Sequence, residues 1–313
     1  MSLASRMKYL SACLLFGLPV GSVGMFGCTV ERGESEIEPQ QVPDAISSDI
    51  SVDEDVGLGG GQGAGTMSGT WVLIHERSTC VEVGQAAEQL TRAVYRVDIE
   101  QSGQRLHEQR ELCDTSLTPV LGQSIEIPDA VLRTIAFVET DFGFISSLRD
   151  GGTYTSATEV ALWGVDPEGI EDPVVDPLSE EAEEGSAEID ADGDGQPGVS
   201  FVMEGDCKRY TAQRQIIRYR GRFTTPNQID GESTGHTDIV VYGSSKPICG
   251  IAPTVRSNDA DSRFRMYRID GRGGAFDADE NGDEDISCQE VRALPIDQVF
   301  ESRLADDQNC EDS

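Results

Sequence analysis

Beyond Gly69 the chain is built of runs that alternate apolar and polar residues at period two and are rich in Val, Ile, Thr, Tyr and Phe. In Ala93–Glu100 one face carries Ala93, Tyr95, Val97 and Ile99 while the other is mostly charged, the pattern of a half-buried antiparallel strand. The same reading predicts strands over 70–76, 106–114, 155–163, 198–204, 209–223, 236–243 and 264–269. Helix is scarce, with short candidates at 83–90, 128–135 and 289–294. About eight strands without helical crossovers predict an all-β fold, an antiparallel β-barrel or sandwich with a few short helices and long acidic loops.

The N-terminus points to export. Arg6 and Lys8 precede an uncharged stretch from Tyr9 to Val30 that holds Leu14, Leu15, Phe16, Leu18 and Val20, the layout of a signal peptide over 1–27. Met25-Phe26-Gly27-Cys28 resembles the lipobox of bacterial lipoproteins, although Phe26 is larger and Met25 less common than the pattern prefers. The resemblance implies a lipid such as palmitate on Cys28 and a membrane anchor; the alternative is an ordinary secretory signal with Cys28 paired or free. Thr29 rather than Asp follows the Cys, which resembles the outer-membrane sorting of enteric lipoproteins. Residues 28–66, with Pro39, Pro43 and a glycine-rich end, lack the apolar surface to fold and read as a tether of roughly 30 to 40 Å. A single β-rich domain is expected over 67–313.

Eight cysteines agree with an oxidising compartment. Cys13 leaves with the signal and Cys28 carries lipid, so Cys80, Cys113, Cys207, Cys249, Cys288 and Cys310 are left for three disulfides. No C-x2-C spacing favours zinc. Six cysteines allow 15 connectivities, of which the sequential set 80–113, 207–249 and 288–310 is the expectation.

Charge decides which partners are excluded. There are 57 acids against 24 Lys plus Arg, a formal charge of −33, and Lys8, Lys208 and Lys246 are the only lysines. A phosphate backbone is held by basic side chains, so nucleic acid is not an expected partner. The acidity is concentrated: 29–66 has 9 acids and 1 base, 166–194 has 13 and none, and 277–313 has 13 and 2, leaving the remainder nearly neutral.

Two of those segments contain loops with carboxylates at alternate positions, which can converge on one hard cation. Asp190-Ala191-Asp192-Gly193-Asp194-Gly195-Gln196 resembles the DxDGDG calcium loops of EF-hands, dockerins and integrin-type repeats, the last most closely because a strand follows. The resemblance implies Asp190, Asp192, Asp194 and Gln196 as ligands. Gly198 and Phe201 stand where such loops carry further acids, so Glu188, Glu204, Asp206 or water would complete the set. The second loop resembles an EF-hand, with Asp279, Asn281, Asp283, Asp285 and Glu290 at ligand positions 1, 3, 5, 7 and 12. It departs at Glu284, where the motif has Gly; a register starting at Asp277 puts Gly282 there but Cys288 at position 12. A solvated acidic turn is the plain alternative. Structural calcium at about 10⁻⁴ to 10⁻³ M is the implied role.

Gly69-Thr70-Trp71 resembles the Gly-x-Trp of lipocalins, where the Trp closes one end of a barrel; an ordinary core Trp is the other reading. If the resemblance holds, the interior accepts a small apolar ligand. No catalytic motif is present: G-x-S-x-G, H-E-x-x-H and phosphate loops are absent, and among His75, His107 and His236 only the last has a carboxylate two residues along its strand, Asp238. The expected function is therefore a membrane-anchored, calcium-binding, non-enzymatic surface lipoprotein of the outer membrane. The alternatives are a lipocalin-like carrier and an exported hydrolase with unidentified carboxylates. An enclosed apolar cavity would favour the carrier, and two facing carboxylates in an open cleft the enzyme.

Overall fold

A computed structural model describes residues 65–301 and Cys310, apart from Gly84, Leu121, residues 180–189, Ala275, Glu280, Asn281, Asp283 and Glu284. The signal, the lipobox with Cys28 and nearly all of the tether lie outside the described residues.

Twelve strands form one antiparallel sheet. They are β1 (Gly69–Val83), β2 (Gln85–Ser102), β3 (Arg105–Leu117), β4 (Ile125–Glu126), β5 (Ala136–Glu139), β6 (Gly143–Ile145), β7 (Thr153–Thr155), β8 (Glu159–Trp163), β9 (Val199–Met203), β10 (Cys207–Thr225), β11 (Gln228–Ser244) and β12 (Thr254–Arg268). Eight of them, in the order β1-β2-β3-β6-β7-β10-β11-β12, close back onto β1. The fold is thus an antiparallel barrel in which chain order is ring order. Three short helices, α1 (Asp129–Leu132), α2 (Cys288–Ala293) and α3 (Ile296–Val299), decorate it.

The turns follow local chemistry. Ser102 pairs with Arg105 across Gly103 and Gln104, and Gly103 takes φ +63°, a value that glycine adopts without a Cβ penalty. Gly221 faces Gly231 in the β10–β11 ladder, and a Cβ on either would lie 2.9 or 2.6 Å from the Phe264 ring. Those two glycines let the ring sit across the strands at one end of the barrel.

One departure from expectation lies at 83–90. Its Ala, Glu, Gln and Leu content favours helix, yet 85–90 belongs to β2, paired with β1 from Val83↔Gln85 to Ser78↔Leu90. Ladder hydrogen bonds override a weak local preference. The segment 155–163 divides into β7 and β8, which pair successive stretches of β10. The helix candidates at 128–135 and 289–294 are found as α1 and α2, and Ser287 with Glu290 forms a capping box at the start of α2.

In β1 the run Trp71-Val72-Leu73-Ile74 is apolar on both faces because both are covered. Trp71 and Leu73 enter the interior with Val97, Ile99, Leu106, Tyr219, Phe223, Phe264 and Met266. Val72 and Ile74 point outward, under Ile286, Val291, Ile296 and Phe300 of the C-terminal segment. Each such side chain contributes about 1.5 to 3 kcal/mol on burial.

The six cysteines stand in three pairs at disulfide distance, Cys80–Cys310, Cys113–Cys288 and Cys207–Cys249, with Cα–Cα separations of 5.6, 4.9 and 5.9 Å. Only 207–249 matches the sequential expectation. Cys80 lies on β1 and Cys113 on β3, with β2 between them. Strands two apart are separated by roughly 10 Å, beyond the ~7 Å that a disulfide spans. The two outer bridges are nested and hold the C-terminal segment against the barrel wall.

Candidate functional site

The barrel is plugged at one end and open at the other. At the plugged end Trp71 is fully buried, donates from Nε1 to the Met67 carbonyl at 2.8 Å, and lies under the Arg268 guanidinium, 5.1 Å from its ring centre. Beyond it, inward side chains of β1, β2, β3, β10, β11 and β12 surround a cavity of about 370 Å³, within the size range of small-molecule sites. Val81, Val83, Val120, Ile248, Ile251 and Val255 make its mouth apolar, and Ile248 is 72% exposed there.

The depth of the cavity is polar. His75 meets Ser233 Oγ at 2.7 Å through Nε2 and the Tyr219 hydroxyl at 3.2 Å through Nδ1. Burial, and then the charges of Arg77 and Arg110, lower its pKa from 6.5 to about 3, so the ring is neutral at physiological pH. Arg77 is buried and donates to the hydroxyls of Thr237 and Ser257, both at 2.7 Å. Burial lowers its pKa, since a desolvated guanidinium is less favourable than a solvated one. Burial likewise raises the phenol pKa values of Tyr95 and Tyr219. Trp163 and Thr211 also line it, but their Nε1 and Oγ1 atoms are closed to it and have no hydrogen-bond partner among the described residues.

A second opening lies in the barrel wall. β3 pairs with β6 only at Arg105 and Leu106, and further along its edge β5 is joined through side chains instead of a ladder. Glu139 accepts from the Glu108 N–H at 3.2 Å and pairs with His107. The resulting cleft, about 390 Å³, is lined by His107, Glu108, Arg110, Phe137, Glu139 and Glu159. Arg110 holds both Glu108 and, at 2.7 Å, Glu159, with the Tyr154 hydroxyl donating to Glu108 at 3.0 and 3.1 Å. Burial pushes the Glu159 carboxyl up, against the pull of Arg110, and also raises Glu139. Carboxylates that flank a scissile bond face each other across the space the substrate fills; here both converge on one guanidinium, which suits a buried ion cluster.

Of the residues expected to bind calcium, Asp190, Asp192 and Asp194 each bring a carboxylate oxygen within 4.8 Å of the others. The loop is shaped by its own backbone: Asp190 accepts from the N–H groups of Asp194 and Gly195, Asp192 from that of Ser200, and Asp194 from that of Gln196. Gly193 and Gly195 take φ of +74° and +83°. Asp192 Oδ1 is buried and has no hydrogen-bond partner among the described residues, while Lys208 approaches Asp194 at 3.7 Å. An all-carboxylate donor set fits a hard cation.

In the second loop Asn281 and Asp283 lie outside the described residues, as does Glu188 beside the first. Asp279 accepts from the Gly282 N–H at 2.7 Å, and Glu290 accepts from the Ser287 N–H and hydroxyl, both at 2.8 Å. Cys288 pairs with Cys113, so a register beginning at Asp277 would have no ligand at its twelfth position.

His236 and Asp238 do meet, at 2.7 Å, and Asp238 also pairs with Arg214. The pair is on the surface, and among the described residues no nucleophile is bonded to it.

No family model, curated protein or solved structure matches this chain.

His75, Arg77, Arg110, Trp163 and Thr211 were not singled out by sequence reading. The available signal was phase: Arg77 falls on the inward set Trp71, Leu73, His75, and Arg110 on the inward set Leu106, Glu108, Leu112. A charged residue on the buried phase of a strand marks either an ion cluster or a binding site.

Proposed function

We propose that the barrel is a carrier that holds a small, largely apolar molecule in its open-ended cavity, without catalysing a reaction. The observation that carries this is a cavity open at one end, whose mouth is lined by Val81, Val83, Val120, Ile248, Ile251 and Val255. The expected lipid anchor at Cys28 and the tether to residue 66 fit such a role, since they would keep the open barrel near the membrane.

Trp163 supplies the assay. Titration with 1-dodecanol is expected to give a saturable change in tryptophan emission that is absent in Trp163→Phe, because the other tryptophan, Trp71, sits in the plugged end. No saturable change, and no heat of binding by calorimetry, would remove the carrier reading.

A second reading concerns calcium at Asp190, Asp192 and Asp194, supported by their mutual 4.8 Å approach and the unpartnered Asp192 Oδ1. The ion's work would be to fasten the acidic loop ahead of β9. Calcium at 100 times its dissociation constant is expected to stabilise the protein by about 2.7 kcal/mol relative to EDTA, and Asp192→Asn to remove most of that gain. A melting temperature indifferent to both EDTA and calcium would exclude the role.

A further inference from the structure

The deep part of the cavity carries a charge that the apolar-carrier reading leaves unexplained. Arg77 is 6% exposed and its two hydrogen bonds go to neutral hydroxyls, Thr237 and Ser257. Among the described residues no carboxylate forms an ion pair with it. The other charges around it are accounted for. Arg110, below it, is matched by Glu108 and Glu159, and Asp259, which acts on Arg77 from β12, accepts from the Gly235 N–H at 3.1 Å. His75, on the same face of β1, is bonded to Ser233 and Tyr219. Buried charges are ordinarily paired, and this chain has 57 acids from which a partner could have been drawn. A guanidinium has five N–H donors, of which two bonds to hydroxyls engage two.

The register places this cation at a definite height. Arg77 pairs with Thr91 on β2, and Thr237, which accepts from Arg77, pairs with Gln215 on β10. Polar groups therefore gather at one level of the barrel, while Val81, Val83, Val255, Ile248 and Ile251 lie between that level and solvent. The cavity is thus polar and cationic at depth, with a largely apolar mouth that also carries Arg209, bonded through Nε to the Cys249 carbonyl at 2.8 Å.

We infer that the ligand is an aliphatic carboxylate that enters head first, its carboxylate bonded to Arg77 and its chain running out past the apolar mouth. The inference rests on the carrier reading and specifies its ligand class. A planar guanidinium receives a carboxylate through two parallel N–H bonds, which gives the site direction as well as affinity. The opposite orientation would bury a chain end against Arg77, Thr91, Gln215 and Thr237 and leave the desolvated guanidinium with no ion-paired carboxylate, only the field of Asp259.

The test compares laurate with 1-dodecanol, matched in chain length, by calorimetric titration below their aggregation concentrations. Laurate is expected to bind roughly 10- to 100-fold more tightly, the range for a hydrogen bond to a charged group. Arg77→Met is expected to abolish that preference and leave dodecanol binding within about threefold of the unaltered protein. The substitution removes an unpaired buried charge, so it should not unfold the barrel; Thr237→Val with Ser257→Ala, which frees the guanidinium from its supports, is a second route and should reduce the preference in part. Equal affinity for the two compounds in the unaltered protein, or a preference that survives Arg77→Met, would overturn the inference while leaving the carrier reading in place. Failure of both compounds to bind would overturn both.

Discussion

Arg110→Met is expected to destabilise the folded protein by about 3 to 5 kcal/mol, the cost of leaving buried carboxylates without their cation. The side chains of Arg110, Glu108 and Glu159 are 2%, 1% and 7% exposed, so water cannot replace the lost guanidinium. The Tyr219 ring stacks 4.7 Å from that guanidinium and the Tyr154 hydroxyl donates to Glu108, so the cluster also ties β3 to β7, β8 and β10 where the barrel wall lacks a ladder. Replacing all three charges together, with Glu108→Gln, Glu159→Gln and Arg110→Met, should cost far less, because no unpaired charge remains. The pH dependence has a definite sign. The folded protein already raises the Glu159 pKa through burial, and removing Arg110 raises it further. A carboxyl with a raised folded pKa penalises the fold as pH climbs through that value, so the deficit should be largest near neutrality and shrink toward pH 4. Urea unfolding across that range measures it. A deficit independent of pH, or a triple variant as damaged as the single one, would show that lost packing rather than lost charge is responsible.

Removing the Cys113–Cys288 bridge, as Cys113→Ala with Cys288→Ala, is expected to cost about 4 kcal/mol. The separation of 175 residues overstates the loop that is freed. With Cys80–Cys310 intact, the same two points remain connected through 33 residues (80 to 113) and 22 (288 to 310). Loop entropy rises only logarithmically, so tens of residues still carry most of the effect. The local consequence is specific. α2 has six residues, too few to persist alone, and without the bridge its hold on β3 falls to packing and the bond from Arg292 Nε to the Cys113 carbonyl. Outward Val72, Ile74 and Val94 would then be partly uncovered. Hydrogen exchange should accelerate in the C-terminal segment before it does in β10 and β11. A peptide map without reduction should join the 80 and 310 peptides and the 113 and 288 peptides. Finding 80 joined to 113 would contradict the barrel order, since those residues sit two strands apart.

The legible and illegible parts of this molecule divide along range of interaction. Alternation in Ala93–Glu100 placed β2 correctly because side-chain direction in a strand is a property of the local backbone. The same period could not say that the exterior of β1, where Val72 and Ile74 lie, is covered. At 85–90 local preference favoured helix, and the ladder with β1 decided otherwise. Asp190, Asp192 and Asp194 were legible as a cluster because they are adjacent in sequence and their loop is closed by its own N–H groups. Arg77 was invisible as a site residue because its significance lies in what is absent around it, and that depends on β11 and β12, some 160 and 180 residues away.

By itself, then, the amino-acid sequence determined an all-β fold, the positions of most strands, the six cysteines available for pairing and the acidic loops, since each follows from residues within a few positions of one another. Only the tertiary structure decided that the sheet closes into a ring of eight, that two bridges are nested instead of sequential, and that the open end holds a cavity apolar at its mouth and cationic within. Those features depend on which strand lies beside which. That choice is made by burying both faces of β1 and by pairing β12 with β1, where Trp71 meets Arg268, and no short window of residues contains it.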